Sequence, residues 1–179
     1  MTILTDIHKK SLLNVARKAI HDSLIGTFRL QRTSEMSLLI KRGVFVTLLK
    51  NNELRGCMGH LLSNEDLYDE VQHVAQKAAF NDTRFKPVSL GELDEISIEV
   101  SILTPFKPVR NLQDIKLGTH GLLLKNQSHV GVFLPKVPIE QNWDIARTII
   151  ELCAKAKCAP KILDDPKTEL LSFETETIS

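Results

Sequence analysis

Residues 96–103 read Ile-Ser-Ile-Glu-Val-Ser-Ile-Leu, and this alternation constrains the fold more than any other feature of the chain. Ile96, Ile98, Val100 and Ile102 fall on one face, and Ser97, Glu99 and Ser101 on the other. That two-residue period belongs to a strand with one buried face. The polar face meets either solvent or a polar site.

Two hairpins extend the sheet. Gly43-Val-Phe-Val-Thr-Leu-Leu49 is rich in β-branched and aromatic residues, and Asn51-Asn52 is a turn that returns the chain through Leu54 and Cys57. The Cys57 thiol is then expected near the end of a strand or in the glycine-bracketed turn after it. Gly121–Leu124 and Val130–Leu134 form a second hairpin about Asn126-Gln127-Ser128. Between these lie helical patterns. Residues 5–25 carry an apolar face of Leu12, Val15, Ala16, Ala19, Ile20 and Leu24, stopped by Gly26. Ser63-Asn-Glu-Asp66 opens a second helix in capping-box style, with Leu67, Val71, Val74, Ala75 and Ala78 inside. Residues 142–156 predict a third, with Trp143, Ala146, Ile149, Ile150 and Cys153 on one face. The tail, 169–178, reads as a last strand. Hairpins separated by helices imply an α+β fold around a mainly antiparallel sheet flanked by helices.

A chain of 179 residues, 42% hydrophobic and 25% charged, suits one domain with a sizeable core, within which a smaller lobe fits. Three cysteines make no disulfide framework or zinc-type spacing. The first residues lack a signal-peptide apolar block, and no apolar run reaches membrane-spanning length. A reducing cytoplasmic setting is expected. Net charge is +1, but residues 1–60 carry ten Lys/Arg against four Asp/Glu. That excess is either a patch for an anion or a solvated helix face. Dinucleotide, P-loop, nucleophile-elbow and His-Glu-x-x-His signatures are missing, and few aromatics cluster as a base-stacking surface would require.

Three segments carry candidate chemistry. In Leu54-Arg-Gly-Cys-Met-Gly-His60, Gly56 and Gly59 permit close approach to Cys57, Arg55 supplies a positive charge, and His60 is a proton acceptor. The alternatives are a small apolar thiol packed between glycines, and glycines that serve a bulge. Asp82-Thr-Arg84-Phe either fixes a polar ligand, with Arg84 clamping a carboxylate or phosphate, or closes a helix by an ion pair or Asx turn. In Gly118-Thr-His120-Gly, the histidine either enters a cleft or lies on the surface. Glu99 is a site carboxylate or an exposed strand residue. No metal-ligand set is read.

Taken together, Gly43-Val-Phe-Val-Thr-Leu, Leu54-Arg-Gly-Cys-Met-Gly, Ala78-Ala-Phe-Asn-Asp-Thr-Arg-Phe, Glu99-Val-Ser-Ile-Leu, Gly118-Thr-His-Gly-Leu and Leu134-Pro-Lys-Val resemble the AMMECR family, from about Leu38 to Cys158. Met58, Thr83 and Lys136 depart from the isoleucine, proline and glutamine usual there, as does the loop 159–168. The resemblance implies a two-lobed α+β fold with the Leu-Arg-Gly-Cys segment near the cleft. It also implies association with Memo-like and radical SAM protein partners, and no settled activity or cofactor.

These residues give three readings. One is a cleft binding a small polar or anionic ligand through Arg55, Gly56, Asp82, Arg84 and Glu99, with an enzymatic version in which Cys57 is nucleophile and His60 or His120 the base. A second is a protein-interaction module without catalysis. The third, nucleic-acid binding through the basic first sixty residues, ranks last.

Overall fold

The computed structural model describes residues 4–127 and 129–179. The chain divides into two compact units, residues 1–103 with 176–179, and residues 104–175.

The first unit is built on a four-stranded sheet. Its strands are β1 (Val44–Lys50), β2 (Glu53–His60), β3 (Ile96–Leu103) and β8 (Thr175–Ile178), in the order β2-β1-β3-β8. β1 pairs antiparallel with both β2 and β3. The Asn51-Asn52 turn takes positive φ at both residues, the geometry whose twist matches a two-residue hairpin. Val44, Val46 and Leu48 of β1 and Ile98, Val100 and Ile102 of β3 point to one face and are buried. Against them pack α1 (Asp6–Leu24) and α2 (Leu67–Phe80), whose Leu12, Val15, Ile20, Leu67, Val71 and Val74 complete the core. The apolar residues assigned to α2 from the sequence are all buried.

Its start differs from the expectation. Asp66 is the N-cap and makes no side-chain cap bond. Ser63 bonds the Glu65 backbone and the Glu70 carboxylate instead, so the capping-box reading of 63–66 is replaced by a loop that ties back to the helix one turn in.

The second unit has its own sheet, in the order β4 (Lys107–Pro108), β7 (Glu169–Phe173), β5 (Gly121–Asn126), β6 (His129–Phe133). β5 and β6 form the expected hairpin; Ser128 of its turn lies outside the described residues. The helix expected over 142–156 is shorter. α3 (Lys136–Glu140) precedes it, and α4 (Ile145–Lys155) begins only after Asp144, whose side chain accepts the Arg147 N–H. Trp143 precedes the helix and packs on Phe133, while Ala146 and Ile150 are exposed; Ile149, Leu152 and Cys153 are the buried face. The single tail strand is two. β7 joins the second sheet and β8 the first, with Glu174 between them.

Candidate functional site

β2 is the edge strand of the first sheet, and Cys57 lies inside it rather than in a turn. Gly56 explains how that edge reaches α2. A Cβ at Gly56 would stand 2.3 Å from the Ala78 carbonyl oxygen, so only glycine permits this approach. Gly59 does the same for the Phe45 ring, which lies where its Cβ would be. Leu48 pairs with Gly56 but Leu49 pairs with Leu54, leaving Arg55 as the extra residue of a β-bulge.

The bulge fixes what Arg55 does. Its guanidinium donates to both carboxylate oxygens of Glu92 at 2.6 and 3.3 Å, and to the carbonyls of Lys86 (2.9 Å) and Pro87 (3.4 Å). This pair holds the Glu92 carboxyl below its usual range. Arg55 is therefore a strut between the bulge and the segment before β3, with its charge already matched.

Cys57 turns its backbone N–H and carbonyl away from β1. The N–H donates to Asp82 Oδ2 at 2.8 Å, and the carbonyl accepts from Arg84 Nη2 at 3.3 Å. Asp82 is buried and also accepts from Arg84 through its backbone N–H (3.2 Å), Nε (2.9 Å) and Nη2 (2.7 Å). These partners, the Arg84 guanidinium first, hold its carboxyl far below the usual carboxylate range. In return, Asp82 raises the Arg84 pKa. The Arg84 side chain remains 56% exposed, with its plane near the Phe85 ring. The ion-pair reading of the Asp82-Thr-Arg84 turn is the one the geometry contains. The pair closes the turn after α2 and covers an otherwise free strand edge, with the guanidinium held by Asp82 and partly exposed.

On the sheet face away from the helices, Cys57, Thr47 and Glu99 lie side by side across three strands. Thr47 Oγ1 donates to Cys57 Sγ at 3.4 Å. Glu99 is half-buried and forms no ion pair among the described residues. His60, three residues beyond Cys57, falls on the opposite face. An odd offset along a continuous strand always does so, and this removes His60 as a base for that thiol. His8, His21 and His73 belong to the helices that cover that same opposite face.

His120 belongs to the second unit, where it lines a small cavity of about 230 Å³ with Lys107, Asp114 and Glu174. Its Nδ1 accepts the Lys116 N–H at 3.2 Å, so in the neutral ring Nε2 carries the proton and donates. That is not the form a general base needs. Cys153 and Cys158 close α4, where burial pushes the Cys153 thiol up and Cys158 donates to the Cys153 carbonyl. No metal-holding cluster of His, Cys, Asp or Glu occurs among the described residues.

The basic excess of the first sixty residues is largely spent inside the first unit. Lys9, Lys18, Arg32, Lys50 and Arg55 pair with Glu176, Asp22, Asp69, Glu92 and Glu95, and Arg17 donates to the Leu93 and Ile96 carbonyls. Four of the five carboxylates come from beyond residue 60, which a count confined to the first sixty residues misses. Among the described residues, no helix is long and apolar enough to cross a membrane.

Two antiparallel four-stranded sheets with helices, and a cysteine-bearing edge strand clipped by an Asp-x-Arg turn, define a class of α+β protein with known relatives. The AMMECR1 family model matches residues 13–178, and the chain belongs to that family. It is 36% identical over 172 residues to a protein of Nanoarchaeum equitans, covering 92% of this chain and 96% of the relative. A protein of Methanothermobacter thermautotrophicus is 36% identical over 175 residues, covering 93% and 91%. The crystal structure of the uncharacterized protein PH0010 from Pyrococcus horikoshii matches with a TM-score of 0.87 at 32% identity, over 99% of this chain and 93% of that one.

Proposed function

We propose that this chain binds a small anionic ligand, and that Arg84 is the recognising group. One observation carries the reading: Asp82 grips the Nε and Nη2 edge of the guanidinium while the side chain stays half exposed. A free arginine loses rotamer entropy when it binds; one already held in plane loses less, and its two Nη1 N–H groups, which Asp82 and Cys57 leave unused, suit a carboxylate or phosphate oxygen. Because the clip also engages both backbone groups of Cys57, the ligand would lie beside that residue. The same clip argues against strand addition here, since at Cys57 the edge has no free N–H or carbonyl to offer.

Thiol catalysis has less support. Within the first unit no imidazole shares the face of Cys57, and its nearest polar partner is the Thr47 hydroxyl. The Memo-like and radical SAM proteins that the family resemblance suggests would then act on, or receive, the bound ligand; copurification with a tagged chain tests them.

The test of the ligand reading is titration with inorganic phosphate, followed by the backbone amide NMR signals of Cys57 and residue 84, both of which the clip engages. Arg84→Lys keeps the charge but loses the planar guanidinium that Asp82 holds in place, and is expected to weaken binding about tenfold, the loss of one good charge-assisted bond. Equal affinity in Arg84→Lys and the wild type would refute the reading.

A further inference from the structure

The face of β2 opposite Cys57 ends in a second, independent arrangement. His60, the last residue of that strand, lines a cavity of about 700 Å³ between the loop that follows it and α2. Glu70, one turn into α2, is 3% exposed, and both its oxygens are engaged. Oε1 is 2.5 Å from His60 Nδ1, and Oε2 accepts from Ser63 Oγ at 2.6 Å. Two turns further along the helix, Lys77 Nζ stands 3.0 Å from His60 Nε2.

The partners assign the imidazole. An ammonium has three donors and no acceptor, so Nε2 must accept from Lys77. Nδ1 then carries the proton and donates it to Glu70, and the ring is neutral. The result is a brace in three links: a buried carboxylate fixes a neutral histidine, and the histidine fixes a lysine tip. Lysine normally keeps much rotamer freedom, and where it is held it is usually held by a carboxylate that also cancels its charge. Here the holder is uncharged, and Lys77 forms no ion pair among the described residues. Its position is restrained, and the charge that balances it, the Glu70 carboxylate, lies across the imidazole ring rather than in contact with the ammonium.

The remaining groups point the same way. Glu65 is bound to His73 at 2.6 Å, and Gln76 donates to Ser23. The pocket's carboxylates thus each have an imidazole as hydrogen-bond partner. Lys77 has two further N–H donors to offer, and the side-chain amides of Asn64 and Asn81 line the same pocket with N–H₂ groups that can turn toward a ligand. Such a lining accepts an acceptor-rich, negatively charged group.

We infer that this cavity is a second ligand site, separate from Arg84, for a small oxyanion (a carboxylate or a phosphate) held by Lys77. His60 is its positioning residue, acting through the lysine. The full chain, labelled with 15N, is titrated in one arm with inorganic phosphate and in another with succinate, following the His60 ring nitrogens and the backbone amides of 73–81. At least one arm is expected to give saturable shifts with a Kd of about 1 mM, the range of a single-cation contact. Which arm responds identifies the class of anion. Lys77→Met should remove those shifts and leave the Arg84 signals responding; Arg84→Lys should do the reverse, so the two sites fail separately. His60→Phe, which removes the brace but keeps the lysine, should weaken binding severalfold while the amide spectrum of the sheet stays unchanged. Absence of saturable shifts in both arms, or shifts that persist in Lys77→Met, would overturn the inference.

Discussion

Replacing Asp82 by alanine should cost far more than an ordinary surface change, although the residue sits in a turn. Four donors converge on its carboxylate: the Cys57 N–H and three from Arg84. Arg84 is 56% exposed and can rehydrate, so its lost ion pair contributes about 1 kcal/mol, as exposed pairs do. The Cys57 N–H beside a buried position cannot rehydrate as easily, and orphaning it costs about 1–3 kcal/mol. The sum, about 2–4 kcal/mol, is a large share of the stability of a domain. Urea unfolding at neutral pH is the assay, with the midpoint falling and the slope unchanged. Asp82→Asn keeps one acceptor oxygen but turns an amide N–H₂ toward the guanidinium, so it should fall between the wild type and alanine.

The pH dependence follows from the lowered carboxyl. A group whose folded pKa lies below its unfolded value of about 3.8 stabilises the fold above that value and ceases to do so as pH falls through the folded pKa. The wild-type advantage over Asp82→Asn should therefore be full at neutral pH and shrink below about pH 4. A loss of under about 0.5 kcal/mol for Asp82→Ala, the range of featureless surface sites, would refute the clip as a structural device.

Other substitutions separate scaffold from site. Arg55→Ala should destabilise by about 2 kcal/mol, because two carbonyls lose their donor and the Glu92 carboxylate keeps only the Ser89 N–H and the more distant Lys50 ammonium; phosphate affinity at Arg84, read by NMR, should not change. Gly56→Ala drives a methyl into the Ala78 carbonyl and should lower the thermal midpoint by an amount matching about 2–3 kcal/mol, since a backbone atom cannot swing aside. Asn52→Gly, at a φ of 64°, should stabilise the hairpin by about 0.5 kcal/mol in the same melt.

Local pattern determined much of this protein. The alternation of 96–103 set β3 and its two faces, Asn51-Asn52 set the first hairpin, and the apolar spacing from Leu67 to Ala78 set α2 and its buried side. Such signals survive in sequence because they depend on neighbours within a few residues. Cys57, Asp82 and Arg84 were legible as notable residues for the same reason: glycines and turn residues mark them.

What each side chain touches was decided by tertiary structure. Arg55 reads as a charge beside a thiol, yet its partners are Glu92, Lys86 and Pro87, more than thirty residues away. His60 reads as a base for Cys57, but the unbroken strand puts the two on opposite faces and gives His60 to Glu70 and Lys77. The tail reads as one strand and splits between two sheets. Periodicity records which face of an element is apolar; hydrogen-bond partners are chosen by chain segments that meet only once the core has formed, and no local pattern encodes that meeting.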